Sequence, residues 1–294
     1  MTLREQTSPA PTPTAIFSPV SPAPPTVSAL PLPPGRSSSA AGGSKTIIPS
    51  SAEDPGNAKK GKHHHDDIEE DSSFPQPKLR LEIRDLNHPG AAKFLGSVNA
   101  GNVVSDAVAN VQRLLYGSPK DRHTTVPPTR SVTLVLRDMD GVAYTTGTDL
   151  DDDHKEIHLS LRYINDISTP RLTSEVTGVL THELVHCYQW NAKGTCPGGL
   201  IEGIADWVRL NCDLSPPHWK RETSGKWDGG YQHTAYFLEY LEGRFGEGTV
   251  RKVNEKLRLH KYEPKPFWTE LLGRPVEQLW GDYVENVTGE ALKC

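Results

Sequence analysis

The sequence predicts an α+β domain, with a small mixed sheet in its N-terminal part and a mainly helical C-terminal part. Three observations carry this. Apolar and polar residues alternate in three segments before residue 165, which is strand periodicity. From residue 172 onward apolar residues recur at helical spacing. Strands come first and helices follow, a pattern that packs helices on one face of a sheet.

Taken in order, LRLEIRDL (79–86) is the first strand. Residues 100–117 place Val104, Ala107, Val108, Val111, Leu114 and Leu115 at helical spacing, and Gly117 ends the run. SVTLVLRD (131–138) alternates again, Asp138 to Gly141 reads as a turn, and VAYTT makes a short strand. EIHLSLRYI (156–164) is the third alternating strand. Residues 172–191 form a long helical segment, broken by CPGG at 196–199. Leu200 to Leu210 is the next helix, with Pro216 and Pro217 beyond it. Further helices are expected near 232–244, 249–259 and 275–287.

The 25 prolines are unevenly spread. Residues 1–76 are dominated by Pro, Ser, Thr, Ala and Gly, as in SPVSPAPPTVSALPLPPG. Such a segment has too little large apolar surface to offset its ordering entropy, so a disordered tail is expected there and one folded domain over 77–294. HHHDDIEED (63–71) lies in that tail; His63, His64 and His65 can hold a metal loosely, but a solvated charge run is the simpler reading.

A formal charge of -5 argues against nucleic acid as a partner, which wants a basic face. No run of 18 apolar residues is present, so no membrane span is expected. Ala15, Ile16 and Phe17 are flanked by prolines and make no signal-peptide core, so retention in the cell or export by another route is expected. Four cysteines are too few for a disulfide scaffold. Cys196 and Cys212 can pair in an oxidising compartment or remain free thiols. Asn286-Val287-Thr288 is a glycosylation sequon, meaningful only in a secreted chain.

HELVH occupies 182–186. Positions four apart share a helix face, so His182 and His186 can reach one ion, and two imidazole nitrogens suit zinc. Glu183 can approach a water on that ion without ligating it, which is the place of a general base. A catalytic zinc needs a third protein ligand and an open position. Glu202, sixteen residues after His186, is the candidate, because the CPGG break lets the chain reverse. Asp206 lies one turn further and can accept the second N–H of a ligating histidine; the reverse assignment, with Asp206 as ligand, stays open. Cys187 points about 100° away from His186 around the helix.

His158 and Tyr163 fall on the third strand, where His158 is either a substrate contact, a donor near the metal, or a hydrogen-bonded strand residue. In KWDGGYQH (226–233), Tyr231 or His233 can supply the donor that an oxyanion needs. The strand at 156–164 is the expected edge on which an extended peptide or protein substrate pairs.

EIHLSLRYI, VTGVLTHELVHCYQWNAKGTCPGGLIEGIADWVRL, KWDGGY, LLGRPVEQLWGDY and DMDGVAY together resemble the plant basic secretory protein family and its microbial relatives, over residues 78–285. The resemblance implies a zincin-like fold, a zinc cofactor and peptide-bond hydrolysis. Its metal motif falls on His182, Glu183 and His186. Glu202 and Asp206 resemble the glutamate-zincin arrangement at a shorter spacing. The metzincin pattern does not fit, since it needs glycine and histidine where this chain has Gln189 and Ala192. The plant proteins carry signal peptides and are linked to defence; here a Pro-rich tail and an acidic balance stand instead, so the family's name predicts neither secretion nor basicity. The alternatives are a non-catalytic binding or defence-related protein with a structural or vestigial metal, and a helical scaffold in which HELVH is coincidence.

Overall fold

The structure, a computed structural model, describes residues 73–291. The Pro-rich segment before Ser73, with His63, His64 and His65, lies outside the described residues. The described part is α+β. Its strands are β1 (Lys78–Ile83), β2 (Ser131–Arg137), β3 (Ala143–Thr148) and β4 (Asp151–Ser160). Its helices are α1 (Pro89–Ser97), α2 (Ala100–Tyr116), α3 (Leu161–Asp166), α4 (Leu172–Tyr188), α5 (Gly198–Leu210), α6 (Tyr231–Phe245), α7 (Thr249–Leu259), α8 (Pro264–Leu272) and α9 (Val276–Ala291). Among them no helix is long and apolar enough to cross a membrane.

The sheet runs β1-β2-β4-β3. β1, β2 and β4 are parallel, and β3 pairs antiparallel to β4. This corrects the expectation that the third alternating segment forms a substrate-binding edge. β4 lies between β2 and β3, so β3, and not β4, is the edge strand on this side of the sheet, with β1 at the other edge. A chain that leaves β2, turns, and returns as a hairpin must put the hairpin's first strand on the outside if its second is to pair with β2.

The third strand also ends earlier than its alternation suggests. Ser160 caps α3, its hydroxyl accepting the Tyr163 N–H at 3.3 Å, and Leu161, Tyr163 and Ile164 become a buried helical face. α1 and α8 were not anticipated, although each carries proline in its first turn, a placement that helices favour. Both are nine residues long, too short to show a full periodic stripe.

α4 is the central element. Thirteen of its 17 residues are buried, which marks a helix covered on nearly every side rather than one face. It packs against α2, α5, β3 and β4. Its C-terminal end is tied down by hydroxyl donors: Tyr116 to the Tyr188 carbonyl, and Thr129 to the Cys187 carbonyl at 2.9 Å. The HELVH histidines therefore sit on a helix held by the core. Cys187, Cys196 and Cys212 are free thiols.

Candidate metal centre

On α4, His182 and His186 lie one turn apart with their rings edge to face, centroids 4.9 Å apart. Their Nε2 atoms are 3.2 Å from each other. From α5, Glu202 Oε2 comes within 3.2 Å of His182 Nε2 and 3.8 Å of His186 Nε2. Among the described residues these three form the group whose donor atoms converge as metal ligands do. Four ligands placed tetrahedrally at bonds of about 2.0–2.1 Å stand about 3.3 Å from one another. The observed spacings match the three protein corners of such a shell, and the donor set of two imidazoles and a carboxylate suits the same ion.

Two close approaches bring α5 to α4. A Cβ on Gly199 would lie 1.8 Å from the Asp228 carbonyl oxygen, so any other residue there would push α5 off the 226–230 segment. Gly230 has φ 84°, a conformation that side chains rarely adopt, and its Cα region faces Gly199 and Glu202. The chain then enters α6 through Tyr231, which also has positive φ, at 46°. A non-glycine residue in that region is uncommon and is held by its surroundings. The two glycine pairs of CPGG and WDGG are thus the seam that sets Glu202 opposite the histidines.

The histidines are oriented from behind. Asp206 Oδ1 lies 2.6 Å from His182 Nδ1, and both side chains are 1% exposed. This contact places the Nδ1 proton toward Asp206 and turns Nε2 to the centre. Gln189, the residue that caps α4, sits with its amide nitrogen 2.6 Å from His186 Nδ1 while its Oε1 is buried without a hydrogen bond. Amide oxygen and nitrogen occupy nearly the same space. Rotating this amide by half a turn satisfies Oε1 with the Nδ1–H and frees His186 Nε2 as an acceptor toward the centre.

The electrostatics favour positive charge at this point. Burial opposes charging His182, but Asp206 and Glu202, with Glu183 behind them, outweigh it and push the ring's pKa up to about 10. His186 is pushed down to about 4 by burial and by its charged neighbour. Asp206, Glu202 and Glu183 thus place negative charge around this point, as a cation there would need. Glu183 is 2% exposed and stands outside the converging group. Burial raises its carboxyl to about 7, with His182 and the Thr145 hydroxyl acting against that rise. Thr145, on β3, lies 2.7 Å from Glu183 Oε2 and 2.9 Å from its carbonyl, which anchors the edge strand beside the motif.

Tyr231 reaches the same place, its ring parallel to His182 within 14° at a centroid distance of 6.2 Å. It also lines a cavity of about 510 Å³ with Thr145, His186, Gln189 and Glu202. The remaining candidates are elsewhere. Thr145 pairs with Ile157 and touches α4, so His158, one residue along β4, projects from the opposite face of the sheet. There it stacks on Tyr144 at 4.5 Å and bonds Glu156 at 3.0 Å. As a metal or substrate contact His158 is set aside, because strand alternation turns it away from the centre. His233 is engaged by the Lys226 carbonyl at 2.7 Å and packs on Trp280. Tyr163 gives its hydroxyl to Glu175 at 2.8 Å.

Sequence reasoning overlooked Gln189 and Thr145. Gln189 was legible, since three residues beyond His186 on a helix means the same face. Thr145 carried no such signal; only the packing of β3 on α4 brings it to Glu183.

The family model for BSP, described as "Peptidase of plants and bacteria", matches residues 76–283, most of the chain and all of the centre. No curated protein and no solved structure matches.

Proposed function

The chain belongs to the BSP family of plant and bacterial peptidases, and from that premise we propose that it is a zinc metallopeptidase acting on peptide or protein substrates. The observation that carries this reading is the triangle of His182, His186 and Glu202 donor atoms, 3.2 to 3.8 Å apart, with the buried Glu183 carboxyl beside it and outside it.

His182, His186 and Glu202 would hold the ion. Zinc, when bound, supplies Lewis acidity that polarises a carbonyl and makes water a nucleophile near neutral pH. Glu183, buried beside the ligands and outside their group, takes the proton of the attacking water and delivers it to the nitrogen of the leaving amine. The Tyr231 hydroxyl donates to the oxygen on which negative charge develops. The outer edge of β3 pairs with the extended substrate backbone, and Thr145 keeps that edge in register with Glu183. Asp206 and Gln189 fix the two imidazoles in the tautomer that offers Nε2.

A structural or vestigial metal is the competing reading. Structural zinc sites close with four protein ligands. Three donors converge here among the described residues, which supports a position open to substrate.

The test is direct. The purified protein should bind one zinc per chain and cleave peptides, lose cleavage when a chelator removes the metal, and regain it on zinc addition. Glu183→Gln should keep the metal and lose about 10²–10⁴-fold in turnover. A zinc-loaded wild type that cuts no peptide in a broad library, or a Glu183→Gln variant as active as wild type, would overturn the proposal.

A further inference from the structure

Beside the metal centre is a second cavity, of about 280 Å³, that the proposed chemistry leaves unused. It shares two walls with the centre, Asp206 and Tyr231. Val179 and Tyr163, both buried, form its interior, Val179 lying one turn before His182 on α4. Trp219, half-buried, and Val142, buried just before β3, also line it. Ligand pockets start at about 300 Å³, so this one suits a single side chain rather than a whole ligand.

Its chemistry is apolar despite charged residues in the walls, because those charges are already committed. Glu175 is engaged by Tyr163 at 2.8 Å, by Arg171 at 2.7 Å and by Arg209 at 3.1 Å. Arg209 also gives Nε to the Leu214 carbonyl at 3.0 Å and lies over the Trp219 ring at 5.3 Å. Asp206 is taken by His182. What remains to recognise a guest is chiefly the shape and apolar surface of Val142, Val179, Tyr163, Pro216 and Trp219, with His218, Tyr231 and Gln232 adding polar atoms to the wall.

The sheet supplies a direction. Antiparallel pairing is the more stable way for a peptide to add to an edge strand. On β3 it makes the substrate run from the Thr148 end toward the Ala143 end. Thr145 marks the reacting centre through its bond to Glu183. Val142 lies past Ala143, downstream of that centre along the substrate.

We propose that this cavity is the specificity pocket for the residue immediately C-terminal to the scissile bond, and that it selects a large apolar side chain, aromatic above all. The proposal rests on the peptidase reading of the neighbouring centre. Trp219 is the residue that determines the preference, as the pocket's half-exposed aromatic wall, and Arg209 and Glu175 are positioning residues that hold this wall.

The experiment is a peptide-library digest with the zinc-loaded full chain, with the residues on both sides of every cut identified by mass spectrometry. Phe, Tyr, Trp, Leu and Met should be enriched directly after the cut. Trp219→Ala should reduce kcat/KM for peptides with Phe at that position by about 10- to 100-fold relative to peptides with Ala there, the range expected when apolar contact is lost. Zinc content should not change. Trp219→Phe should restore most of the preference. Cleavage without apolar bias, bias confined to the residue before the cut, or a preference unmoved in a zinc-loaded Trp219→Ala variant overturns the pocket and leaves the peptidase reading standing. Absence of any cleavage by the zinc-loaded wild type removes both.

Discussion

Two buried histidines, His182 and His158, stand on opposite sides of the sheet's β3 edge and have much in common. They are 1% and 4% exposed, and each has a carboxylate within 3.0 Å of a ring nitrogen. Their settings differ in where the other nitrogen points. His182 commits Nδ1 to Asp206 on a different helix and aims Nε2 at His186 and Glu202. His158 commits Nε2 to Glu156 on its own strand, stacks flat on Tyr144, and leaves Nδ1 buried without a partner. Burial and a carboxylate neighbour therefore do not make a ligand. Convergence does, when elements brought together by packing aim several donors at one point and a second contact fixes each donor's orientation.

The contrast can be broken or sharpened by substitution. The largest effect is expected at Glu202, the ligand we propose α5 contributes. Glu202→Ala should abolish stoichiometric zinc binding, read by metal analysis after dialysis, while the fold seen by circular dichroism is kept. A variant that still carries one tightly bound zinc per chain would transfer the third ligand to Asp206. Next come the residues that orient the imidazoles. Asp206→Asn and Gln189→Leu should each weaken zinc affinity by about 10- to 100-fold in competition with a chromogenic chelator, and Asp206→Asn should weaken it less than Glu202→Ala does. Wild-type affinity in Gln189→Leu would mean that His186 needs no help from its neighbour.

The smallest effect is expected at His158. His158→Phe should leave zinc content and peptide turnover unchanged, and a loss of either would restore it to the site. It should instead alter how stability depends on pH. Burial lowers the pKa of His158 in the fold, against an opposing Glu156, so the unfolded chain binds the extra proton first as pH falls below about 6.5. Stability contributed by the neutral ring is present above that pH and is lost on acidification. Melting temperature should therefore fall less steeply between pH 7 and pH 5 in His158→Phe than in wild type, and equal slopes would sink this account.

Much of this was legible from local pattern. The helices from 100, 172, 200, 232, 249 and 275 appear close to where periodicity places them, because burying one face imposes a repeat on the residues themselves. HELVH was readable for the same reason, as residues one turn apart on a helix must share a face. Other features left a faint trace. The prolines that open α1 and α8 and the serine that caps α3 are start signals, but each governs a segment of nine residues or fewer. β4 runs back to Asp151, through a DDD stretch that no strand preference favours. It is stabilised there by pairing with Thr148 of β3, by the Arg130 N–H, which donates to the Asp153 carbonyl at 2.8 Å, and by the Arg130 guanidinium, which meets Asp151 and Asp153.

The amino-acid sequence alone determined that this chain carries an α+β domain with two histidines and a glutamate on one buried helix, and that a carboxylate pair follows on the next. Those are facts of spacing along a single element, where the helical repeat fixes direction. The tertiary structure alone decided that Glu202 rather than Asp206 faces both Nε2 atoms, that β3 rather than β4 is an edge strand, that His158 looks away, and that a pocket opens beside Tyr231. Each of these depends on the distance between elements, which is set by close packing such as that of Gly199 on Asp228 and not by any repeat within a segment.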